Sequence, residues 1–555
     1  MHAIEKLLAE KAGKETVSAG EIVNCDVDIA GINDLYLQTV RSFFEMGGDE
    51  VFDADKIVMF FDHYAPCATI TQAENHKQFR EFCFSQGIEK LMDIDQGVCH
   101  QVLADKGLVH PGEIVVVTDS HTTTHGAFGA FGTGVGATDL ATIMITGKLW
   151  FMVPEIFRVH LIGKLAPGVF AKDVILHIIG DLGADYGVYK AVEFTGPALA
   201  ELSVSERMCL CNMTTEMGCK TSYIQPDAVT MAFLQKHVTR PYKIYDTDEG
   251  YPYAAELTYD VSEIPPQVAA PSSVDNVFPL EQYAGTSIDE AYLGSCTGGR
   301  LEDLAVAAQI LRGKHLPKTT RMIVVPASKQ VMEDAMAQGY IQELMTAGCT
   351  VTAPGCAACL GVHQGMLAGG EVCISSTNRN FPGRMGHVDG RIFLASPAAV
   401  AASAVAGVRG EHAGFDRASL VEGCDASVRD CDGDGGRCAA GPGSGASDHR
   451  PASGVGYGDA RGHGCSHVAG RHCRRVGGCR DRLRRVDRLA GVVRLGLCVR
   501  RARVGALAVV VARCSSRAGV GSGPGTRSGC PSSVVRARPV AVRSARDPHV
   551  CARGV

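Results

Sequence analysis

Three cysteines lie in two glycine-bounded segments of the chain. Cys296 is part of Gly-Ser-Cys-Thr, and Cys356 and Cys359 are separated by two residues in Gly-Cys-Ala-Ala-Cys-Leu-Gly. A thiolate pair with a distant third thiolate suits a soft metal centre. Three thiolates are one fewer than a cubane iron–sulfur cluster usually has. One iron would then have no protein ligand and could act as a Lewis acid toward a substrate.

Two other uses of these thiols stay open on spacing alone. Structural zinc needs a fourth ligand, and His363, which follows Cys359 closely, would supply one. A redox pair needs Cys356 and Cys359 at the start of a helix and has no need of Cys296. We favour the iron–sulfur cluster over zinc, and zinc over a redox pair.

Histidines beside carboxylates mark three places upstream of the cysteines. The apolar run 56–61 leads into the first, and the run 113–118 leads into the third. The places are Asp62–His63, His100, and Asp119–Ser120–His121. A neighbouring carboxylate fixes the tautomer of an imidazole and lets it relay protons. A lone histidine is more often structural, but three with acidic neighbours favour an acid–base site.

Amides and arginines complete the candidate set. Asn212 and Glu216 are four residues apart, so on a helix they would share one face. Asn378, Arg379 and Arg384 lie in a turn-rich loop, and arginine forks bind carboxylates in a bidentate manner. Each set has an ordinary alternative, a chance helical spacing for the first and a solvated surface loop for the second. Near the cysteines, they favour a site for an acidic substrate.

Short apolar runs alternate with helical patterns through the first four hundred residues. The runs 56–61, 113–118 and 321–326 lead into polar residues, as buried parallel strands do where functional groups follow their carboxyl ends. A helical pattern covers 74–86. This alternation predicts an α/β fold. The Pro-rich stretch 265–279 is interpreted as a linker or exposed crossing.

The segment 126–136 is rich in glycine and superficially suggests a phosphate cradle. It lacks the lysine of a P-loop and the strand–GxGxxG–helix context of a dinucleotide site. We therefore predict tight backbone packing beneath the site, where a Cβ atom would clash.

The composition of the 555-residue chain changes near residue 408. Residues 1–408 hold 28 Lys and Arg against 48 Asp and Glu, whereas residues 409–555 hold 26 Arg, no Lys and 12 acids. We interpret 408–555 as a disordered, non-native extension, such as out-of-frame translation of GC-rich DNA. An Arg-rich nucleic-acid arm is the alternative. Scattered arginines, and ten cysteines without a repeated metal spacing, argue against that arm.

The first residues predict a short helix rather than a signal peptide, and no run of about 18 apolar residues would span a bilayer. We expect a cytoplasmic protein with reduced thiols and no membrane partner. The excess of acids in residues 1–408 disfavours a nucleic-acid partner, because phosphate binding needs a basic face.

In their order along the chain, the motifs resemble the aconitase superfamily, and within it the large subunits of 3-isopropylmalate dehydratases and their relatives. The matching segments are 62–63, 97–101, 119–122, 211–213, 294–297, 355–361, 378–386 and 395–397. The resemblance covers 1–407 and none of the tail. It implies three α/β/α domains around a [4Fe–4S] cluster. Residues 1–285 would form the first two domains, and residues 286–407 the third, which holds the cluster cysteines.

The resemblance also implies a hydro-lyase that reversibly removes water from a hydroxy diacid. The expected substrate is 3-isopropylmalate, in leucine biosynthesis, with 2,3-dimethylmalate, 2-methylmalate and homoaconitate as alternatives. The resemblance implies that Cys296, Cys356 and Cys359 bind the cluster and that His63, with Asp62, protonates the substrate hydroxyl. It implies that Asp119, Ser120 and His121 bind water and substrate and that His100 pairs with Glu216. Asn212 and Asn378 would donate hydrogen bonds near the cluster, and Arg379 and Arg384 would bind a substrate carboxylate and fix the local geometry.

Two departures from the family pattern stand out. Gly298 follows Ser-Cys-Thr where the family usually has Asn, so one hydrogen bond near the cluster is in doubt. The Ser-Ser-Arg motif that carries the family's catalytic base is not found in residues 1–407, and the Ser-Ser-Arg string at 515–517 lies in the tail, which the resemblance does not cover. We therefore expect a small partner subunit with the catalytic serine, and no activity from this chain alone. The competing hypotheses are a cluster-free RNA-binding protein and an inactive gene product.

Overall fold

The computed structural model describes residues 1–237 and 240–409, all of which belong to one unit of the chain, Met1–Ala440. The interpretation of 408–555 as a disordered tail therefore concerns residues that lie, but for the first two, outside the described part. None of the described helices is both long and apolar enough to cross a bilayer.

The described residues form thirteen α-helices and several short 3-10 turns. The helices are α1 (Ala3–Lys11), α2 (Leu37–Glu45), α3 (Ile70–Gln86), α4 (Cys99–Asp105), α5 (Ala137–Thr146), α6 (Ala171–Leu182), α7 (Val204–Met213), α8 (Ala228–His237), α9 (Ser295–Gly298), α10 (Leu301–Leu311), α11 (Lys329–Ala337), α12 (Tyr340–Ala347) and α13 (Pro397–Ala406). The 3-10 turns that matter for the site are Ser120–Phe128, Thr214–Met217 and Ala357–Leu360.

The same residues form twenty strands. They are β1 (Ile22–Asp26), β2 (Ile29–Asn33), β3 (Ile57–Phe60), β4 (Leu91–Met92), β5 (Ile114–Val117), β6 (Phe131–Gly134), β7 (Lys148–Met152), β8 (Ile156–Ile162), β9 (Ala191–Thr195), β10 (Thr221–Ile224), β11 (Ala255–Asp260), β12 (Gln267–Ala269), β13 (Val277–Pro279), β14 (Thr286–Ser287), β15 (Glu290–Gly294), β16 (Arg321–Val325), β17 (Thr350–Val351), β18 (Val372–Ser375), β19 (Arg391–Ala395) and β20 (Val408–Arg409).

The first sheet is parallel and has the strand order β4-β3-β2-β5-β6. Its central strands are short and fully buried, since every residue of Ile57–Phe60 and Ile114–Val117 is inaccessible. Burial on both faces explains why these segments read as unbroken apolar runs rather than as alternating patterns. The α/β prediction is confirmed here, and the carboxyl ends of β2, β3 and β5 lie side by side.

The second sheet, of order β10-β9-β8-β11, is also parallel. Helices α6 and α7 pack together next to it. α7 begins at a capping box, in which the Ser203 hydroxyl accepts from the N–H of Glu206 and the Glu206 carboxylate accepts from the N–H of Ser203. Because the capping box fixes the first residue of α7, it also helps to set the position of Asn212 near the carboxyl end of the helix.

The third sheet has the order β13-β12-β19-β18-β15-β16-β17. Strands β15 to β19 pair in parallel, while β12 pairs antiparallel with both β13 and β19. The interpretation of 265–279 as a linker is wrong, because Gln267–Ala269 is a buried strand of this sheet. Its backbone is paired by residues far away in the chain, which no local pattern reveals.

The glycine-rich segment packs as predicted. A Cβ atom on Gly126 would lie 2.2 Å from the carbonyl oxygen of Ser222, and one on Gly134 would lie 2.4 Å from that of Asp119. Backbone atoms cannot move aside as a flexible side chain can. The glycines therefore let the turn after β5 lie close against its neighbours, directly beneath the polar residues that follow the strand.

Candidate active site

The candidate residues gather where parallel strands of the first and third sheets end. Asp62 and His63 follow β3, Asp119 follows β5, Ser295 and Cys296 follow β15, and Asn378 comes three residues after β18. Carboxyl ends of parallel strands share one edge of a sheet, so residues distant in sequence meet there. The backbone N–H of Cys356 donates to the carbonyl of Asp62 at 2.8 Å, which joins the two edges.

The three cysteines are buried and lie among hydrogen-bond donors. Cys296 is the second residue of the short helix α9, Cys356 immediately precedes the 3-10 turn Ala357–Leu360, and Cys359 is the third residue of that turn. The Asn212 amide donates to Cys296 Sγ at 3.1 Å, and the Asn378 amide donates to the same sulfur at 3.5 Å. Such donors stabilise the negative charge of a thiolate that ligates a metal.

Cys359 has its own donors. The Ser295 hydroxyl lies 3.4 Å and Arg384 Nη2 lies 3.8 Å from its sulfur. The hydrogen bond from Cys356 lowers the pKa of the Cys359 thiol well below its ordinary value, and Arg384 and Ser295 lower it further against the effect of burial. The Arg384 guanidinium thus lies against the cysteine cluster.

His63 is held among three carboxylates. Its Nδ1 lies 2.7 Å from Asp62 Oδ1 and 3.7 Å from Asp34 Oδ1, and its Nε2 lies 3.6 Å from Asp119 Oδ2. Burial alone would lower the pKa of His63, but the carboxylates of Asp62, Asp34 and Asp119 raise it to about 9. His63 is therefore an imidazolium at neutral pH, with Nε2 directed toward the site.

The predicted pairing of His100 with Glu216 is wrong. His100 Nε2 lies 3.0 Å from Asp119 Oδ1, whereas Glu216 Oε1 lies 2.8 Å from His121 Nε2. The exchange follows from the local backbone. Asp119 accepts from the backbone N–H of His121 at the start of the 3-10 turn, so the His121 ring keeps Nδ1 3.5 Å from Asp119 Oδ1 and extends Nε2 to Glu216, while Asp119 also faces His100 on α4.

A second series of hydrogen-bonded groups connects Glu216, through Arg379, to Ser120 at the surface. Arg379 Nε donates to Glu216 Oε1 at 2.8 Å, and Arg379 Nη2 donates to the exposed hydroxyl of Ser120 at 2.9 Å. The hydrogen bond with His121 and the charges of His121 and Arg379 lower the pKa of Glu216 against the effect of burial. One edge of the Arg379 guanidinium is held by protein groups, on the accessible side of the site.

Asn212 and Asn378 are joined directly. The Asn378 amide donates to Asn212 Oδ1 at 2.6 Å, and the Ser295 hydroxyl donates to Asn378 Oδ1 at 3.1 Å. α7 ends at Met213, so Asn212 and Glu216 do not share one helix face as expected. Glu216 reaches the site from the following 3-10 turn instead.

The chain matches the model of the aconitase family (aconitate hydratase) over residues 5–407. It is similar to 3-isopropylmalate dehydratase large subunit 1 of Methanopyrus kandleri, with 48% identity over 404 residues, which is 73% of this chain and 96% of that protein. This chain belongs to the aconitase family.

Further relatives carry two kinds of name. The "Probable methanogen homoaconitase large subunit" of Methanothermobacter thermautotrophicus is 46% identical over 413 residues, 74% of this chain and 96% of the relative. The 3-isopropylmalate dehydratase large subunit of a Hydrogenobaculum species is 44% identical over 404 residues, 73% of this chain and 95% of the relative. The holo-form of Thermococcus kodakaraensis aconitase X overlaps 68% of this chain and 90% of its own with a TM-score of 0.41 and 14% identity, too weak a likeness to carry an argument.

Enzymes of the aconitase family carry an iron–sulfur cluster, and the thiols of this chain fit one. The three sulfurs are buried among amide, hydroxyl and guanidinium donors, as the thiolate ligands of a metal centre are. The Nε2 atom of His363 is hydrogen-bonded to the carbonyl of Pro66, which leaves Nδ1 as the ring atom that a metal would have to take.

Two residues of this aconitase-family site were missed from the sequence. Asp34 follows β2 as Asp62 follows β3, so the strand-end pattern alone would have found it. Its oxygens accept from the backbone N–H groups of His63 and Tyr64 at 3.1 and 2.9 Å. Lys172 is buried and donates to the carbonyls of Ser376 and Thr377, just before Asn378. No local pattern marked Lys172, because its partners are two hundred residues away.

Gly298 is tightly packed in this structure. A Cβ atom there would lie 2.4 Å from both Cβ and Oγ of Ser376. The Ser376 hydroxyl lies 3.2 Å from the Gly298 carbonyl and 3.3 Å from that of Gly294, so it bridges the ends of the cysteine-bearing turn. The position where the family pattern has Asn is therefore filled here by the Ser376 side chain.

Proposed function

We propose that this chain is the large, cluster-bearing subunit of a hydro-lyase that reversibly dehydrates 3-isopropylmalate. The observation that carries the proposal is that three buried thiols lie next to the buried Asp62–His63 pair, where the backbone N–H of Cys356 donates to the Asp62 carbonyl. Similarity over nearly the whole length of proteins named as 3-isopropylmalate dehydratase large subunits supports the substrate.

Cys296, Cys356 and Cys359 would hold the cluster, which we propose is [4Fe–4S]. With three protein thiolates, such a cluster supplies one iron as a Lewis acid for the substrate hydroxyl. The amides of Asn212 and Asn378 and the guanidinium of Arg384 offset the negative charge on the thiolates by hydrogen bonding. None of these donors is exposed, so water does not compete for the sulfurs.

His63 is the acid that protonates the departing hydroxyl. Asp62 Oδ1 accepts from Nδ1 at 2.7 Å, so the proton available to the substrate is on Nε2. The N–H of Cys99 donates to the other Asp62 oxygen at 2.9 Å, which holds the carboxylate in place. In the hydration direction the same nitrogen takes a proton from water.

The Asp119 carboxylate lies within 4 Å of ring nitrogens of three histidines, His63, His100 and His121. Its Oδ1 atom is 3.0 Å from His100 Nε2, and its Oδ2 atom faces His63 Nε2. Hydrogen bonds and charges from His100 and His121 hold the pKa of Asp119 well below its usual range against the effect of burial. An ionised carboxylate here accepts hydrogen bonds from water or from a substrate hydroxyl and orients it beside His63.

Arg379 and Ser120 would bind a carboxylate of the diacid. Both lie on the accessible side, and the Arg379 guanidinium is fixed by Glu216. Bidentate binding by a held guanidinium orients the substrate as well as attracting it.

The base that removes the carbon-bound proton would come from a small partner subunit with the serine that residues 1–407 of this chain lack. The relatives' names as large subunits support a two-subunit enzyme. The chain alone should therefore bind a cluster and show no turnover.

The test is anaerobic reconstitution with iron and sulfide, followed by mixing with the small subunit of a 3-isopropylmalate dehydratase. We expect about four irons and four sulfides per chain. We also expect turnover of 3-isopropylmalate only in the mixture. Zinc or no metal at the three thiols would refute the proposed cluster. Turnover without the small subunit would refute the proposal that this subunit supplies the catalytic base.

Homoaconitate is the second candidate substrate, because relatives of 46% and 49% identity are named as methanogen homoaconitase large subunits. Assays of the reconstituted mixture on both substrates, with 2,3-dimethylmalate and 2-methylmalate added, separate the candidates by kcat/KM.

A further inference from the structure

A cysteine, a histidine and an aspartate form a hydrogen-bonded chain next to the candidate active site. Cys67 Sγ lies 3.1 Å from His76 Nδ1, and His76 Nε2 lies 2.9 Å from Asp34 Oδ2. Cys67 belongs to the loop after β3 that carries His63, His76 belongs to α3, and Asp34 follows β2. Nothing in the proposed dehydration uses Cys67 or His76.

The hydrogen-bond partners of Cys67, His76 and Asp34 determine which atoms of this triad carry protons. The hydrogen bond from His76 and the charge of His63 lower the pKa of Asp34 against the effect of burial, so Asp34 is a carboxylate and can only accept. His76 Nε2 must therefore carry the proton, and Nδ1 is left to accept from the Cys67 thiol. The His76 ring stacks on Phe61, with centroids 4.0 Å apart and planes 7° apart, which holds that orientation.

This arrangement is a nucleophile with a general base and an orienting carboxylate. We propose that Cys67 is a modification site at which a histidine-activated thiol exchanges with low-molecular-weight disulfides. The inference does not rest on the proposed hydro-lyase function or on the cluster.

The exchange balances without another reactant. The Cys67 thiol proton moves to His76 Nδ1, and the resulting imidazolium is stabilised by Asp34 at Nε2. The thiolate attacks one sulfur of the disulfide RS–SR, so a Cys67–SR bond forms as the RS–SR bond breaks. The leaving thiolate RS⁻ takes the proton from His76 and departs as RSH.

Selectivity follows from burial. Of the twelve cysteines in the described residues, Cys67 alone is only partly buried, and the other eleven are buried. Pro66 and Ala68 on either side are exposed, so a small disulfide can reach the sulfur.

The charged surroundings make the base necessary. Burial and the Asp34 carboxylate raise the pKa of the Cys67 thiol, the Asp93 carboxylate adds to this, and Arg80 opposes it. Arg80 is itself paired with Asp93 at 2.5 Å and lies 4.8 Å from the centre of the Phe61 ring. His63 lies beyond Asp34, with Nδ1 3.7 Å from its carboxylate. An unassisted thiol at this position would be neutral and slow at pH 7.

The test uses the full-length chain and the disulfide of 2-mercaptoethanol, a small neutral probe. Modification is followed by peptide mapping, which separates Cys67 from the ten cysteines beyond residue 408. We expect Cys67 to be the fastest-reacting cysteine of residues 1–409. His76→Phe, which keeps a ring against Phe61, should slow its modification at pH 7 by about tenfold or more, because the base is lost. His177→Phe, a ring replacement on α6, should leave the rate unchanged.

Two further measurements keep the inference testable if His76→Phe folds poorly. In denaturant, the rates of the wild-type chain and the variant should become equal. In the native wild-type chain, the Cys67 rate should rise by clearly less than tenfold per pH unit between about pH 6 and 9, whereas an unassisted thiol rises about tenfold per unit below its pKa. A tenfold rise per unit, or a His76→Phe rate equal to that of the wild type, would overturn the proposal.

Discussion

His63 is the residue whose charge the site controls most directly. Three carboxylates surround a buried imidazole, and they raise its pKa from 6.5 to about 9. A raised histidine pKa means that the protonated form is favoured in the folded state. Its contribution to stability is complete below pH 6.5 and is lost as the pH rises from 6.5 to about 9. The same proton is the one that dehydration needs, so stability and catalysis depend on one protonation state.

Replacing Asp62 by Asn should move this titration toward the ordinary value. The closest carboxylate, 2.7 Å from Nδ1, would become a neutral amide. We expect the pKa of His63 to fall by about one unit or more. NMR titration of the histidine ring measures this directly. In the assembled enzyme, the alkaline limb of kcat for dehydration should shift down by the same amount. Asp55→Asn, at an exposed carboxylate paired with Lys90, is the control. An unchanged His63 titration in Asp62→Asn would show that the pair does not set the charge.

Gly298→Ala tests the packing of the cysteine-bearing turn. The new methyl group would lie 2.4 Å from Ser376 Cβ, so the turn or β18 must shift. We expect a loss of about 1–3 kcal/mol in the free energy of unfolding and faster loss of iron from the reconstituted cluster. Gly136→Ala is the matched control, because its Cβ would meet nothing within 4 Å and its φ is −78°. Equal behaviour of the two variants would contradict the packing argument.

At the scale of elements, functional residues directly follow short buried strands. The positions of these strands could be predicted from the sequence. The apolar runs at 56–61, 113–118 and 321–326 became β3, β5 and β16 with ends within one residue. Burial on both faces makes such strands uniformly apolar, and the polar residue that ends the run marks the edge of the sheet.

Contacts between elements were not predictable. The partner of His100 depends on how α4 lies against the turn after β5, and β12 exists because β19 pairs with it. A single sequence records which residues are apolar, not which distant backbone they meet. The cysteine set and the acid–base residues could be proposed from their types and neighbours, whereas the Asp34 and Lys172 contacts required the structure.

Lys172, near the start of α6, is the element-scale test. Its ammonium donates to the carbonyls of Thr377 at 2.7 Å and Ser376 at 3.2 Å, which precede Asn378. Lys172→Met keeps roughly the length of the side chain but leaves the two buried carbonyls without this donor. We expect destabilisation of about 1–3 kcal/mol by thermal or denaturant unfolding. Iron should also be lost faster, because Asn378 is held less firmly against Cys296.

Lys77→Met is the control for this change. Lys77 is exposed on α3 and pairs with Glu81, an exposed ion pair of small value. If both variants unfold alike and hold iron alike, the buried lysine does not support the cysteine-bearing region.

At the scale of the whole molecule, the described residues form three large sheets and two two-stranded sheets, β1-β7 and β14-β20. The last strand, β20, pairs with β14 through Thr286–Arg409 and Ser287–Val408. The family match ends at residue 407, and relatives that this chain covers to 95–98% of their length align over about 400 residues. All twenty described strands therefore have partner strands within residues 1–409.

A chain truncated after Arg409 should keep its melting temperature, its three-cysteine cluster and its activity with the small subunit. Truncation after Ala395 is the matched control. It removes α13, whose residues Pro397–Ala404 are buried and pack against α10 and β15. Removing that apolar helix uncovers one face of the third sheet, so this shorter chain should aggregate or lose its cooperative unfolding. If the Arg409 truncation also failed to fold, residues beyond 409 would be part of the folded protein, and the sheets would depend on more than their own strands.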